Sequence, residues 1–228
     1  MLLALMPPKA RISSLLPAPP RKRRKAAYLP RQKPRQARAR LTFDSILDAT
    51  ARILEELGYE SLTTNGIAGV AGVAIGAVYA YFPDKESIVA ELARRTLQSI
   101  LTEVEAAFAD ASASESKDEA IERLVRSCMR VLRRRWALLK VFNRDAAFVW
   151  NLEEVRTFPM KLFQVAWEAR AIAKPGILEG NLNAMAYLYL LIPIGRWVPY
   201  AAIVDRPSWI TEAAAEDATV EIFRRLLS

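Results

Sequence analysis

Between Leu41 and Ile88 the chain is so closely punctuated by caps and breakers that few folds are open to it. Phe43, Ile46, Leu47, Thr50, Ile53, Leu54 and Leu57 recur at helical spacing and predict one amphipathic helix with a single buried face. Gly58 follows the last of them, where a left-handed cap suits glycine. Thr63 or Thr64 is placed to cap a short helix carrying Ile67, Ala68, Val70 and Ala71. Gly72 supplies a tight turn between two crossed helices. Ala74 to Phe82 reads as the second of these, ended by Pro83. Asp84 is a good N-cap for the next helix, with Lys85 and Glu86 in its first turn.

This run, a helix and then a helix–turn–helix, resembles the N-terminal domain of the TetR family of bacterial transcription regulators. The matching residues are Phe43 and Ile46, Gly58, Thr63-Thr64, Ile67-Ala68, Ala71-Gly72-Val73, Gly76, Val78-Tyr79, Tyr81-Phe82, Lys85 and Glu86. The Y-x-Y-F-x-x-K spacing distinguishes it from an unrelated helix–turn–helix. The resemblance implies an all-α protein with a three-helix DNA-binding head, a larger helical effector-binding domain and a homodimer. The expected division is a disordered basic arm over 1–40, the head over 41–87 and an effector-binding and dimerisation domain over 88–228.

Charge separates these parts. The whole chain is +8, but residues 1–40 hold 12 Lys and Arg and no acid, leaving 21 bases against 25 acids elsewhere. Within 41–90 only Arg52 and Lys85 oppose Asp44, Asp48, Glu55, Glu56, Glu60, Asp84 and Glu86. The attraction for nucleic acid is therefore expected from the arm, above all from Arg38 and Arg40 beside the head. The arm reads otherwise as a solvated tail. Its first apolar run is short and broken by Pro7-Pro8, unlike a secretory signal. No apolar run is long enough for a membrane span, so a cytoplasmic, membrane-free protein is expected.

Beyond the head, long apolar-periodic helices are predicted over about 84–110, 117–135, 136–151 and 152–173, with Pro159 expected to bend or restart the last. Arg133, Arg134 and Arg135 read as a solvated helix end. A strongly apolar segment over 181–204 and a helix from Pro207-Ser208 to Leu227 follow. Ala214, Ala218 and Ile222 align on the last helix, with Asp217, Glu221 and Arg224 expected on its opposite side. The resemblance makes these two helices the homodimer interface.

The absence of histidine and the single cysteine, Cys128, remove the commonest acid–base and metal-ligand chemistry, so neither an enzyme, a metal nor a cofactor is expected. Cys128 reads as a small buried hydrophobe. The helix from Ala74 lacks Lys, Arg, Asn and Gln, the side chains that pair with base edges through two hydrogen bonds. DNA contact is expected instead from Thr64, Asn65, Tyr79, Tyr81 and Lys85 on phosphates, and from Ile75 or Ala77 on thymine methyls. The resemblance further implies a cavity for a small lipophilic effector lined by aromatic residues, for which Phe142, Phe148, Trp150, Phe163, Trp167, Tyr187 and Tyr189 are candidates. The expected function is a DNA-binding regulator, a repressor by default, released from its operator by that effector. Two rivals stand beside it: a regulator-like protein with degenerate DNA reading that acts through protein contacts, and a small-molecule enzyme on a helical scaffold.

Overall fold

The computed structural model describes residues 28–172 and 210–227. Its helices are α1 (Ala37–Leu57), α2 (Thr64–Ala71), α3 (Ile75–Tyr81), α4 (Lys85–Ser112), α5 (Lys117–Arg134), α6 (Trp136–Arg144), α7 (Glu153–Ile172) and α8 (Glu212–Leu227), with a 3-10 helix at Ala147–Asn151. No strand occurs among the described residues, and the architecture is all-α. The segment expected at 181–204 lies outside the described residues.

The head is built by local chemistry. Phe43, Ile46, Leu47, Thr50, Ile53 and Leu54 are buried along one face of α1. Thr50 resolves its buried hydroxyl by donating to the Ile46 carbonyl at 2.7 Å. Thr63 caps α2 by accepting the Gly66 N–H at 3.0 Å, and Asp84 caps α4 by accepting the Ser87 N–H at 2.8 Å. Gly72 sits at φ 66°, ψ 31°, the left-handed conformation that turns α2 into α3 across a 111° bend. Gly58 ends α1 at φ 76°, ψ 176°, outside the left-handed helical well but in a region essentially restricted to glycine.

Two expectations for α1 are corrected. The helix starts at Ala37, not at Leu41, because Ala and Arg are good helix formers and no breaker lies between Pro34 and Phe43. The change in charge at residue 40 therefore falls inside the helix and marks no structural boundary. Leu57 is exposed at the end of the helix, although Leu54, one turn earlier, is buried.

α4 joins the head to the remainder. Ile88, Val89, Ala90, Leu92 and Ala93 are all buried, and one apolar core runs from Phe43 and Phe82 through them to Leu138, Val141, Phe142, Val149, Leu152 and Val155. Further along, α4 packs against α5 and α7, and α5 packs against α8 through Ile121, Val125, Met129, Val220 and Phe223. Cys128 lies partly buried in a small cluster beside Ile100, Val104 and Val131, and burial pushes its thiol up to about 11.

The remaining differences lie in α5 to α8. Chain expected as one helical piece over 136–151 divides into α6 and the 3-10 helix. α7 runs through Pro159, which sits in its second turn and costs it one backbone donor. Arg133, Arg134 and Arg135 are not a solvated end. Arg133 pairs with Glu216 at 2.7 Å and with Glu212, and Arg134 and Arg135 both pair with Glu103. On α8, Asp217 and Arg224 reach back to Arg126 (2.7 Å) and Glu122 (3.1 Å) of α5, so they flank the α5 contact.

The glycines give a clean test of the head. A Cβ on Gly69 would meet nothing within 4 Å, and its backbone is ordinary helix. Gly69→Ala should raise stability to chemical denaturation by up to ~1 kcal/mol. Gly72→Ala forces a side chain into the left-handed region and should lower it by about 1–2 kcal/mol. Equal midpoints for both variants would contradict the left-handed turn at Gly72.

Candidate nucleic-acid interface

α3 presents one face to the core and the other outward. Val78 is fully buried, whereas Ile75 and Tyr79, one helical turn apart, are 38% and 42% exposed. Ala77 is intermediate, and Asn65 on the first turn of α2 is exposed. The hydroxyls of Thr64 and Tyr79 lie 3.1 Å apart and tie the start of α2 to the outer face of α3. Thr64, Asn65, Ile75, Ala77 and Tyr79 are thereby gathered on one unit, the two crossed helices around Gly72. Its outer side carries hydroxyl and apolar groups and no charge.

Tyr81 and Lys85 are placed differently from the expectation. The Tyr81 ring packs edge-on against Phe43, with centroids 5.5 Å apart, and its carbonyl accepts the Arg31 N–H at 2.7 Å. Its ring serves the core edge first. Lys85 donates from Nζ to the Leu62 carbonyl at 3.2 Å and lies 4.6 Å from the centre of the Tyr59 ring. Burial, and then the charge of Glu86, push the Tyr59 hydroxyl up to about 12, so its ring remains neutral beside the ammonium at neutral pH. Lys85 is thus anchored to the loop before α2, with donors left over for an anion. Arg38 and Arg40 are exposed on the first turn of α1, and Arg40 donates to the Arg35 carbonyl at 3.3 Å.

The aromatic candidates separate into groups. Phe142 is buried in the core shared by the head and α4. Trp150 and Phe148 are partly buried against the same core, and the Phe148 ring is 4.9 Å from Tyr28 and 6.2 Å from Tyr59. Phe163 and Trp167 stack on α7 at 6.2 Å, with Trp167 43% exposed. Tyr187 and Tyr189 lie outside the described residues. Among the described residues no cluster of His, Cys, Asp and Glu could hold a metal ion, and no single helix is long and apolar enough to cross a membrane.

One group was missed in the sequence. Arg94, on the third turn of α4, donates to the Tyr28 carbonyl at 3.0 Å, to Glu91 at 3.2 Å and to Glu154 of α7 at 2.9 Å. Its partners stand up to 66 residues away, beyond any local pattern. The available signal was the apolar Tyr28-Leu29-Pro30 inside an otherwise basic arm.

Comparison with known proteins bears directly on this head. Residues 46–92 match the profile of the bacterial regulatory proteins of the tetR family. The head is of the TetR type. Over 88 residues it is 35% identical to the HTH-type transcriptional repressor KstR of Mycobacterium tuberculosis, a match spanning 39% of this chain and 40% of that repressor. A chain from Mesorhizobium loti assigned as a TetR-family transcriptional regulator superposes with a TM-score of 0.63, at 19% identity, over 84% of this chain and 98% of that one. The fatty acid degradation regulator FadR of Bacillus halodurans superposes with a TM-score of 0.59, at 20% identity, over 86% and 97%. At these identities the structures show that the TetR fold extends well beyond the head.

Tyr79→Phe and Lys85→Ala should weaken binding of this TetR-family head to DNA by roughly 1–2 kcal/mol each, as the removal of hydrogen bonds to charged groups does. They should differ in stability. Tyr79→Phe removes only an exposed hydroxyl pair and should melt like wild type, whereas Lys85→Ala also strips the Leu62 carbonyl of its donor and should melt lower. Wild-type affinity in both, measured by fluorescence anisotropy, would place the DNA elsewhere.

Proposed function

We propose that this chain is a DNA-binding transcriptional regulator, a repressor by default, released from its operator by a small lipophilic effector and working in the cytoplasm. The observation that carries it is the outward face of α2 and α3, with Thr64, Asn65, Ile75, Ala77 and Tyr79 on a unit held rigid by the Thr63 cap and the Gly72 turn. Such a unit lays its second helix in a major groove. A repressor among the partial relatives supports the direction of the output.

A homodimer belongs to the same reading. Val220 and Phe223 of α8 face α5, while Ala214, Ala218 and Ile222 are exposed on the chain's outer side. This small-residue stripe allows a second helix to approach closely, and its proposed partner is the same surface of a second copy. Two heads would then reach successive major grooves about 34–36 Å apart. For the effector, the Phe163–Trp167 pair on α7 is the described apolar surface best suited to a lipophilic ligand. A ligand there would release DNA only by its differential affinity for the two arrangements of the dimer.

Selection of bound fragments from the organism's own genomic DNA, followed by footprinting, tests the function. A two-fold protected site supports it. Retention of DNA without any preferred sequence would favour the rival reading, a regulator-like protein acting through protein contacts, which the lack of base-pairing side chains on α3 motivates. Ala218→Arg, lying outside the chain's own core, should fold normally yet sediment as a monomer and lose cooperative operator binding. A dimer that survives this change would move the interface away from α8.

A further inference from the structure

The segment before α1 is docked against the head. Tyr28 stands at φ 40°, a left-handed conformation that a bulky residue adopts only when its surroundings impose it. Here its carbonyl is held by Arg94 at 3.0 Å and its ring by Phe148. Three residues on, the Arg31 N–H donates to the carbonyl of Tyr81, the last residue of α3, and the Gln32 amide lies 3.5 Å from the Ala80 carbonyl. Pro30 and Pro34 keep the residues before them extended. The segment therefore crosses from the third turn of α4 to the end of α3, then turns into α1 at Ala37.

Its charge is distinctive. Arg31, Lys33 and Arg35 are exposed, followed by Arg38 and Arg40, and none of the five pairs with a carboxylate among the described residues. Elsewhere many arginines are spent on acids, as Arg95 on Asp44, Arg123 on Glu119 and Arg126 on Glu122, and Arg52, Arg130 and Arg156, which pair with none among the described residues, stand singly. Residues 41–90 hold two bases and seven acids, so the positive charge at the end of α3 comes from the segment just before α1.

We propose that residues 28–36 form a phosphate-binding strap, in which Arg31, Lys33 and Arg35 bind the DNA backbone flanking the groove that receives α3. Tyr28 and Arg94 are its positioning residues. Arg94 is suited to this because Glu91 and Glu154 fix its guanidinium, so that Nη1 meets the Tyr28 carbonyl in a fixed direction. The inference rests on the DNA-binding reading and adds a second contact element to it. It also accounts for how an acidic, polar-poor head could hold DNA, through charge on the strap and shape on α3.

Phosphate contacts are independent of sequence, so a short mixed-sequence duplex serves as the probe, titrated against the full chain by fluorescence anisotropy over about 50–200 mM salt. The triple variant Arg31→Ala/Lys33→Ala/Arg35→Ala should flatten the slope of log K against log salt by roughly 0.9 for each phosphate no longer neutralised, up to about 2.7. Arg94→Ala keeps every strap cation yet should flatten the slope as well, and adding it to the triple variant should change little further. Tyr28→Ala repeats that test without removing a charge, and circular dichroism melts check that each variant folds. A folded triple variant with the wild-type slope overturns the strap while leaving the DNA-binding reading intact. Full additivity of Arg94→Ala with the triple variant, or wild-type slopes in both Arg94→Ala and Tyr28→Ala, overturns the positioning role. If the wild-type chain fails to bind the duplex at the lowest salt, the strap and the DNA-binding reading fall together.

Discussion

The burial of α4 on every side of its first turns governs the rest of the structure. Ile88, Val89 and Ala90 are consecutive, so they point in widely separated directions around the helix, yet each is fully covered. The head supplies one wall and the 3-10 helix and α7 supply the other, while α6 packs on α1. Among the described residues one apolar cluster spans head and body at this level. α4 continues for 28 residues, about 42 Å at 1.5 Å per residue, and meets α5 and α7 along the way.

Further from the head, apolar packing gives way to charge. The α5–α8 contact holds a narrow strip of Ile121, Val125, Met129 and Val220, flanked by Arg126 with Glu122, Glu216 and Asp217 and by Arg133 with Glu216. Half-exposed pairs of this kind add little stability individually. Their geometry does fix how α8 lies on α5, and so which residues it turns outward. Glu103 is similar: burial alone would raise its carboxyl, but the hydrogen bond and charge of Arg135, with Arg134, hold it below the usual range.

What could be read in the sequence follows the distance between partners. Thr63 with Gly66, Asp84 with Ser87 and the Gly72 turn are contacts within a few residues, and each was legible from residue type and spacing. The buried face of α1 was legible by periodicity, except at Leu57, which is exposed. The partners of Arg133, Arg134 and Arg135 were not, because Glu216 and Glu103 stand some 80 and 30 residues from them. In the candidate interface, the outer positions of α2 and α3 could be named from the sequence, but Tyr81 as a core edge, Lys85 over Tyr59 and the docked strap depend on contacts made only on folding.

The burial that suppresses Cys128 has a practical side. The thiolate is the reactive form of cysteine, and a thiol held near 11 is almost wholly protonated at neutral pH. Cys128 should therefore react more slowly with maleimides than an exposed cysteine does. A single cysteine introduced at an exposed position, such as Gln32 on the strap, would take a fluorophore or spin label in preference to it. Motions of the strap relative to α3 can then be followed in a molecule otherwise unaltered.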